Sequence, residues 1–107
     1  MTKRKVRSDR NHVIYVITCN DSQKQYIGIT VMQGTRSVSK TLNTRLRQHI
    51  WRATTENKDW ALCKMLRKTN NVRIDPIDII RGKAEAHALE VLYIYTVNPV
   101  LNTKKKA

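Results

Sequence analysis

Two tyrosines, Tyr15 and Tyr26, stand eleven residues apart, each in a short apolar run, Val13-Ile14-Tyr15 and Tyr26-Ile27-Gly28. Further along, Arg45 and His49 are four residues apart in a stretch with helical periodicity, so both project from one side of it. Glu90 sits among Leu89, Val91 and Leu92, and Asn102 closes the run Asn98-Pro99-Val100-Leu101-Asn102. By type, a guanidinium is a rigid planar donor to phosphate oxygens. A carboxylate suits a hard cation, an imidazole titrates near neutral pH, and a free phenol keeps its proton to a pKa of ~10. Such groups, if gathered, could bind an anion and move a proton. The apolar neighbours of Glu90 imply a well-packed part of its helix, where an acid needs a reason. Gly28 lies inside a strand-like run, which is unfavourable unless another backbone or a ligand comes close.

These residues need elements to position them. His12 to Cys19 is rich in β-branched and aromatic residues and predicts a strand; Asn20-Asp21-Ser22 is turn chemistry, and Gln25 to Val31 predicts the second strand of a hairpin. Tyr15 and Tyr26 are then expected on one face of the hairpin, with Ile14 and Ile27 on the opposite, packed face. Met32 to Lys40 is polar and predicts a long loop, a common place for binding. Thr41 to Ala53 predicts a helix with Leu42, Leu46 and Ile50 as its apolar stripe, Ser39 or Thr41 as its cap, and Arg47, Gln48 and Arg52 on its outer face. Lys58 to Lys68 predicts a second helix, offering Trp60 or Ala61, Leu62 and Met65 to the core, and Asn70-Asn71 breaks it.

Val72 to Ile80 alternates apolar and polar residues and predicts a third strand. Pro76 assigns it to an edge or a bulge, or ends its pairing. Lys83 to about Thr96 predicts the last helix, with Ala86, Leu89, Tyr93 and Val97 in line, stopped by Asn98-Pro99. The order is β-β-α-α-β-α. The expected fold is α+β, a small three-stranded antiparallel sheet flanked by helices. Residues 1–11 read as a flexible basic arm, 12–103 as one domain and 104–107 as a basic tail.

The 107 residues carry 21 Lys and Arg against 8 Asp and Glu, a net charge of +13. That imbalance costs self-repulsion unless a polyanion is the partner, and nucleic acid is the first expectation. An anionic membrane surface is the weaker one, and solvated charge for solubility is the competing account of the two tails. No apolar run reaches the ~18–20 residues of a membrane span, and no signal core follows the basic start. The chain is read as soluble and intracellular. Cys19 and Cys63 lack metal-like spacing and are read as reduced.

Together the motifs resemble the GIY-YIG nuclease family. The first motif, normally Gly-Ile-Tyr, is Val13-Ile14-Tyr15 here, and the second is matched in full by Tyr26-Ile27-Gly28. An arginine on the first helix followed four residues later by tyrosine or histidine is matched by Arg45 and His49. A single glutamate on a later helix is matched by Glu90, and a terminal asparagine by Asn102. The resemblance covers about residues 12–103. The departures are Val13 for glycine and a longer loop before the Arg45 helix; the loop bears on DNA contact, not on the active centre.

The resemblance implies a divalent-metal-dependent DNA endonuclease that hydrolyses phosphodiester bonds, one strand per active site. Glu90 would hold one Mg²⁺ or Mn²⁺. No second carboxylate stands three or four residues from it, which argues against two metals. Arg45 would clamp the scissile phosphate. Tyr15 and Tyr26 would orient the attacking water, and Tyr15, Tyr26 or His49 would be the general base, a choice the residues leave open. Asn102 would order Glu90 or a water. DNA would be met by Lys3, Arg4, Lys5, Arg7 and Arg10 of the arm, by Arg36 and Lys40 of the loop, and by Arg47 and Arg52 of the helix. No small-molecule cofactor and no membrane are implied. Homing or other mobile-element activity, phage-encoded attack on competing DNA, repair and restriction all fit such a domain. The alternative is a non-catalytic basic protein bound to ribosomal RNA or DNA, which fits the charge but gives no reason for Glu90 or for paired tyrosines.

Overall fold

The structure, a computed structural model, describes residues 10–32, 37–55, 61–69, 71–99 and 101–102. Its elements run β1 (Asn11–Cys19), β2 (Gln25–Val31), α1 (Val38–Thr55), α2 (Ala61–Lys68), β3 (Val72–Arg81) and α3 (Lys83–Val97). The expected order and the antiparallel three-stranded sheet are both present, in the strand order β2-β1-β3. The positions expected for the start of α2, residues 58–60, lie outside the described residues.

The central strand explains the arrangement. β1 is apolar at nearly every position because both of its faces are covered. Val13, Tyr15, Ile17 and Cys19 point to one side, into a core shared with Leu42 and Ala53 of α1 and Leu62, Cys63, Met65 and Leu66 of α2. Ile14 and Ile27 are fully buried outside that cluster. α3 touches all three strands, and its Tyr93 hydroxyl donates to Asp78 of β3, which pairs with Ile14. α3 therefore covers the second face. The two faces divide as the hairpin predicts.

Pro76 sits on β3, an edge strand. The register with β1 shifts there, with Tyr15 opposite Pro76 and Ile14 opposite Asp78. The shift leaves Ile77 unpaired, as a bulge does, and pairing resumes to Arg81. The other edge, β2, is covered. Asn98 ends α3 in a left-handed conformation, and the chain returns along β2, where Leu101 N–H donates to the Gln25 carbonyl. A covered edge offers no template for a foreign strand.

Two local expectations change. α1 begins at Val38, so Lys40 lies in its first turn and not in a loop. Its cap is Ser37, whose hydroxyl accepts from Lys40 N–H at 3.2 Å, while Ser39 and Thr41 are inside the helix. On α3, Val91, Leu92 and Val97 are exposed. The apolar run around Glu90 is thus not a packed interior, and Val97 does not continue the line of Ala86, Leu89 and Tyr93.

Candidate active site

The hairpin register puts Tyr15 opposite Gly28 and Ile17 opposite Tyr26. Tyr15 and Tyr26 thus share a face as diagonal neighbours, with ring centroids 6.4 Å apart. α1 crosses this face. Its 3.6-residue period aligns Arg45, His49 and Arg52 on one side, and the first two reach Tyr15. Arg45 Nε–H donates to the Tyr15 hydroxyl at 3.2 Å, and that hydroxyl lies 2.8 Å from His49 Nε2. A guanidinium N–H can only donate, so the hydroxyl hydrogen is left for Nε2, and His49 carries its own proton on Nδ1. Arg45 Nη1 also donates to Gln48 at 3.2 Å. Tyr26 stacks edge-on against His49, with centroids 5.5 Å apart.

Gly28 is part of this assembly for want of space. A Cβ there would lie 2.5 Å from the Tyr15 hydroxyl oxygen and 2.9 Å from Cε2 of Tyr26. The close approach is therefore made by the tyrosine side chains. Another backbone, one of the two causes expected from the sequence, is not what crowds this glycine.

Tyr26, Arg45, His49, Arg52, Glu90 and Asn102 line one cavity of about 920 Å³. Tyr15, 0% exposed, lies behind its wall. The structure thus brings Tyr26, Arg45, His49, Glu90 and Asn102 of the expected site to one cavity, with Tyr15 behind them. Arg52, assigned from its spacing to the outer face of α1, lines the cavity. Its place in the 45, 49, 52 stripe was the available signal. Lys40 and Arg47 lie roughly half a turn around the helix from Arg45, on the side away from the cavity. Arg10 is half-buried at the start of β1. Lys3, Arg4, Lys5, Arg7 and Arg36 lie outside the described residues.

Asn102 reaches the site by a different route from the one expected. Its Oδ1 accepts from Ile27 N–H at 2.8 Å and its Nδ2 donates to the Ile27 carbonyl at 2.9 Å. The amide acts as a short extra strand. It fixes the backbone between Tyr26 and Gly28, and it does not bond Glu90.

Burial governs the charges. It pushes the Tyr15 phenol well above its ordinary range, more than the neighbouring Arg45 pulls it down. The same balance raises Tyr26, with Glu90 adding to the rise. His49 is lowered to about 4 by burial first, then by Arg45 and Arg52, so it is neutral at pH 7. Glu90 keeps only 16% of its side-chain surface exposed, and burial raises its pKa against the pull of His87. His87 Nδ1 lies 3.4 Å from Glu90 Oε1. The reading of the sequence missed this partner, although its spacing three residues before Glu90 on a helix was visible.

A cation at Glu90 would offset the cost of a mostly buried carboxylate. Among the described residues no group of three His, Cys, Asp or Glu side chains could hold a metal. One carboxylate suits a hard cation that takes oxygen ligands and keeps several waters. Also among the described residues, no helix is long and apolar enough to cross a membrane.

Comparison with known families finds that the GIY-YIG catalytic domain matches residues 11–106, nearly the whole chain. No curated protein and no solved structure matches it.

Proposed function

This chain belongs to the GIY-YIG family of nucleases, and from that membership we propose that it is a divalent-metal-dependent DNA endonuclease. The observation that supports this best is the Tyr15 hydroxyl held between Arg45 and His49 at the wall of a cavity that Glu90 also lines. Hydrolysis of a phosphodiester needs the phosphate held, a water deprotonated and the leaving alkoxide stabilised. Arg45 is set for the first task. Tyr15 and Gln48 orient its guanidinium and use two of its five N–H donors, which leaves others for a phosphate in the cavity. The +13 charge draws the strand in.

Proton acceptance falls to groups along the same wall. His49 is neutral at pH 7, but a pKa of about 4 makes it a weak base, and its Nε2 is engaged by Tyr15. For the Tyr15–His49 pair to act, bound phosphate would have to offset the burial that raises the phenol and lowers the imidazole, and water would have to reach a hydroxyl that is 0% exposed here. Tyr26 borders the cavity directly and is the other candidate. A Tyr26→Phe variant separates them. A large loss of cleavage assigns the base to Tyr26, and retention assigns it to the Tyr15–His49 pair.

Glu90, with His87 beside it, is the place for Mg²⁺ or Mn²⁺. When bound, such an ion supplies charge stabilisation at the phosphoryl and leaving oxygens. Asn102 holds the Tyr26–Gly28 backbone that carries the tyrosine. With one such site per chain, each event nicks one strand.

The test is nicking of supercoiled plasmid in Mg²⁺ against EDTA, with Glu90→Ala and Arg45→Ala alongside. Each substitution should lower the rate by at least ~10²-fold. Equal nicking by all three proteins would sink the proposal, and salt-dependent binding with no cleavage in any divalent metal would favour a non-catalytic nucleic-acid binder.

A further inference from the structure

The cavity lining includes residues of two unlike kinds. One is charged, with Arg45, Arg52 and Glu90. The other is apolar, with Val91, Ile94 and Tyr95 on α3. A surface helix ordinarily turns its apolar stripe to the core. On α3, among the described residues, Ala86 alone is fully buried, while Val91 is 63% exposed and Tyr95 is 84% exposed. Apolar area of this kind at a cavity wall contributes nothing to the core. About 920 Å³ is also large for a lone phosphate, near the upper end of the ~300–1,000 Å³ of small-molecule sites.

A nucleotide has the same division, a charged phosphate joined to a flat apolar base. Tyr95 lies five residues beyond Glu90, which is ~7.5 Å along the helix axis. Stacked nucleotides repeat at ~3.4 Å along a strand. Arg45 and Tyr95 line the same cavity, so a phosphate held at Arg45 leaves a neighbouring base in the space that Tyr95 borders. In an intact duplex the faces of the bases are covered by their neighbours. Only an unstacked base offers a face to an aromatic side chain.

We propose that Tyr95, flanked by Val91, is a stacking platform for an unpaired base next to the phosphate held at Arg45, so that single-stranded or locally melted nucleic acid is the preferred substrate. This rests on the reading that a strand enters the cavity and is independent of whether the strand is cut. The complementarity of Arg45 and Arg52 to phosphate, in a chain of net charge +13, selects a nucleic-acid strand as the occupant.

The test is binding in EDTA, followed by fluorescence anisotropy. The probes are a short oligothymidylate, an abasic strand of equal length and charge, and a duplex. The proteins are the wild type, Tyr95→Ala and Tyr95→Phe. Loss of one base stack should weaken oligothymidylate binding by about 5- to 150-fold in Tyr95→Ala. Tyr95→Phe should bind like the wild type, and the abasic strand and duplex should bind Tyr95→Ala and wild type alike. Tyr95 is exposed, so the variants should fold. Equal binding of oligothymidylate by wild type and Tyr95→Ala overturns the proposal, as does an equal loss on all three probes. A DNA-free dimer that Tyr95→Ala converts to monomer also overturns it and assigns the strip to a second copy of the chain. Tyr95-dependent binding without cleavage would sink the nuclease reading and leave the platform standing. Metal-dependent cleavage with no role for Tyr95 would do the reverse.

Discussion

Gly28→Ala is the sharpest perturbation the structure offers, because one methyl group meets both tyrosines at once. The added Cβ would lie 2.5 Å from the Tyr15 hydroxyl oxygen, 2.6 Å from Tyr15 Cζ and 2.9 Å from Tyr26 Cε2. Ordinary contacts between carbon atoms are ~3.5–4.0 Å, so the Tyr15 ring must retreat by about 1 Å. It has nowhere to go cheaply. The ring is fully buried, its hydroxyl is held by Arg45 and His49, and its backbone is paired directly with Gly28. Overpacking of this kind costs about 1–3 kcal/mol, and disturbing buried hydrogen bonds adds about 1–3 kcal/mol. We expect Gly28→Ala to lose about 2–6 kcal/mol of stability in urea unfolding followed by circular dichroism. Single-turnover nicking, measured where the variant is folded, should fall on the order of 10²-fold, the usual cost of misplacing a site by 1 Å. A variant within about 0.5 kcal/mol of wild type that nicks at the wild-type rate would refute the crowding argument.

Two further outcomes follow from the site's electrostatics and backbone. His49 falls from an ordinary 6.5 to about 4 on folding, so between those values the unfolded chain binds more protons. Stability is then full above pH 6.5 and declines as pH falls toward 4, by about 3 kcal/mol for this group. His49→Gln should flatten that part of the profile, and an imidazole NMR titration centred near 6.5 would refute the argument. Asn102→Ala strips both hydrogen bonds from the Ile27 backbone and should cost about 1–2 kcal/mol. Unchanged stability together with a large loss of cleavage would instead assign Asn102 to the chemistry.

Which parts were legible beforehand follows from the range of each interaction. Strands and helices are local patterns. The apolar run of β1, the turn after Cys19 and the stop at Asn98-Pro99 each declare themselves within a few residues, and all the expected elements are present. Pairs one helical turn apart were legible for the same reason, which is why Arg45 and His49 could be placed on one side. The start of α1 was not. Ser37, Ser39 and Thr41 are all competent caps by residue type, and only the path of the chain into α1 selects Ser37. Exposure was not legible either. Leu89, Val91 and Leu92 look like a packed surround for Glu90, yet the line of contact between α3 and the sheet leaves Val91 and Leu92 in solvent.

By itself, the sequence determined the α+β order, the basic character and, through motifs in the right order, membership of a nuclease family. Its spacing put both tyrosines on one face of the hairpin, because side chains in a strand alternate with a period of two. Tertiary structure decided what that face is for. Only the packing of α1 on β1 brings Arg45 and His49 to one hydroxyl across 30 and 34 residues of chain, and only burial there lowers the His49 pKa from its ordinary 6.5 to about 4. Only the return of the C-terminus along β2 gives Asn102 the backbone of Ile27 as its partner. Such contacts depend on how the helices and the returning chain lie on the sheet, and that geometry is written in no local pattern.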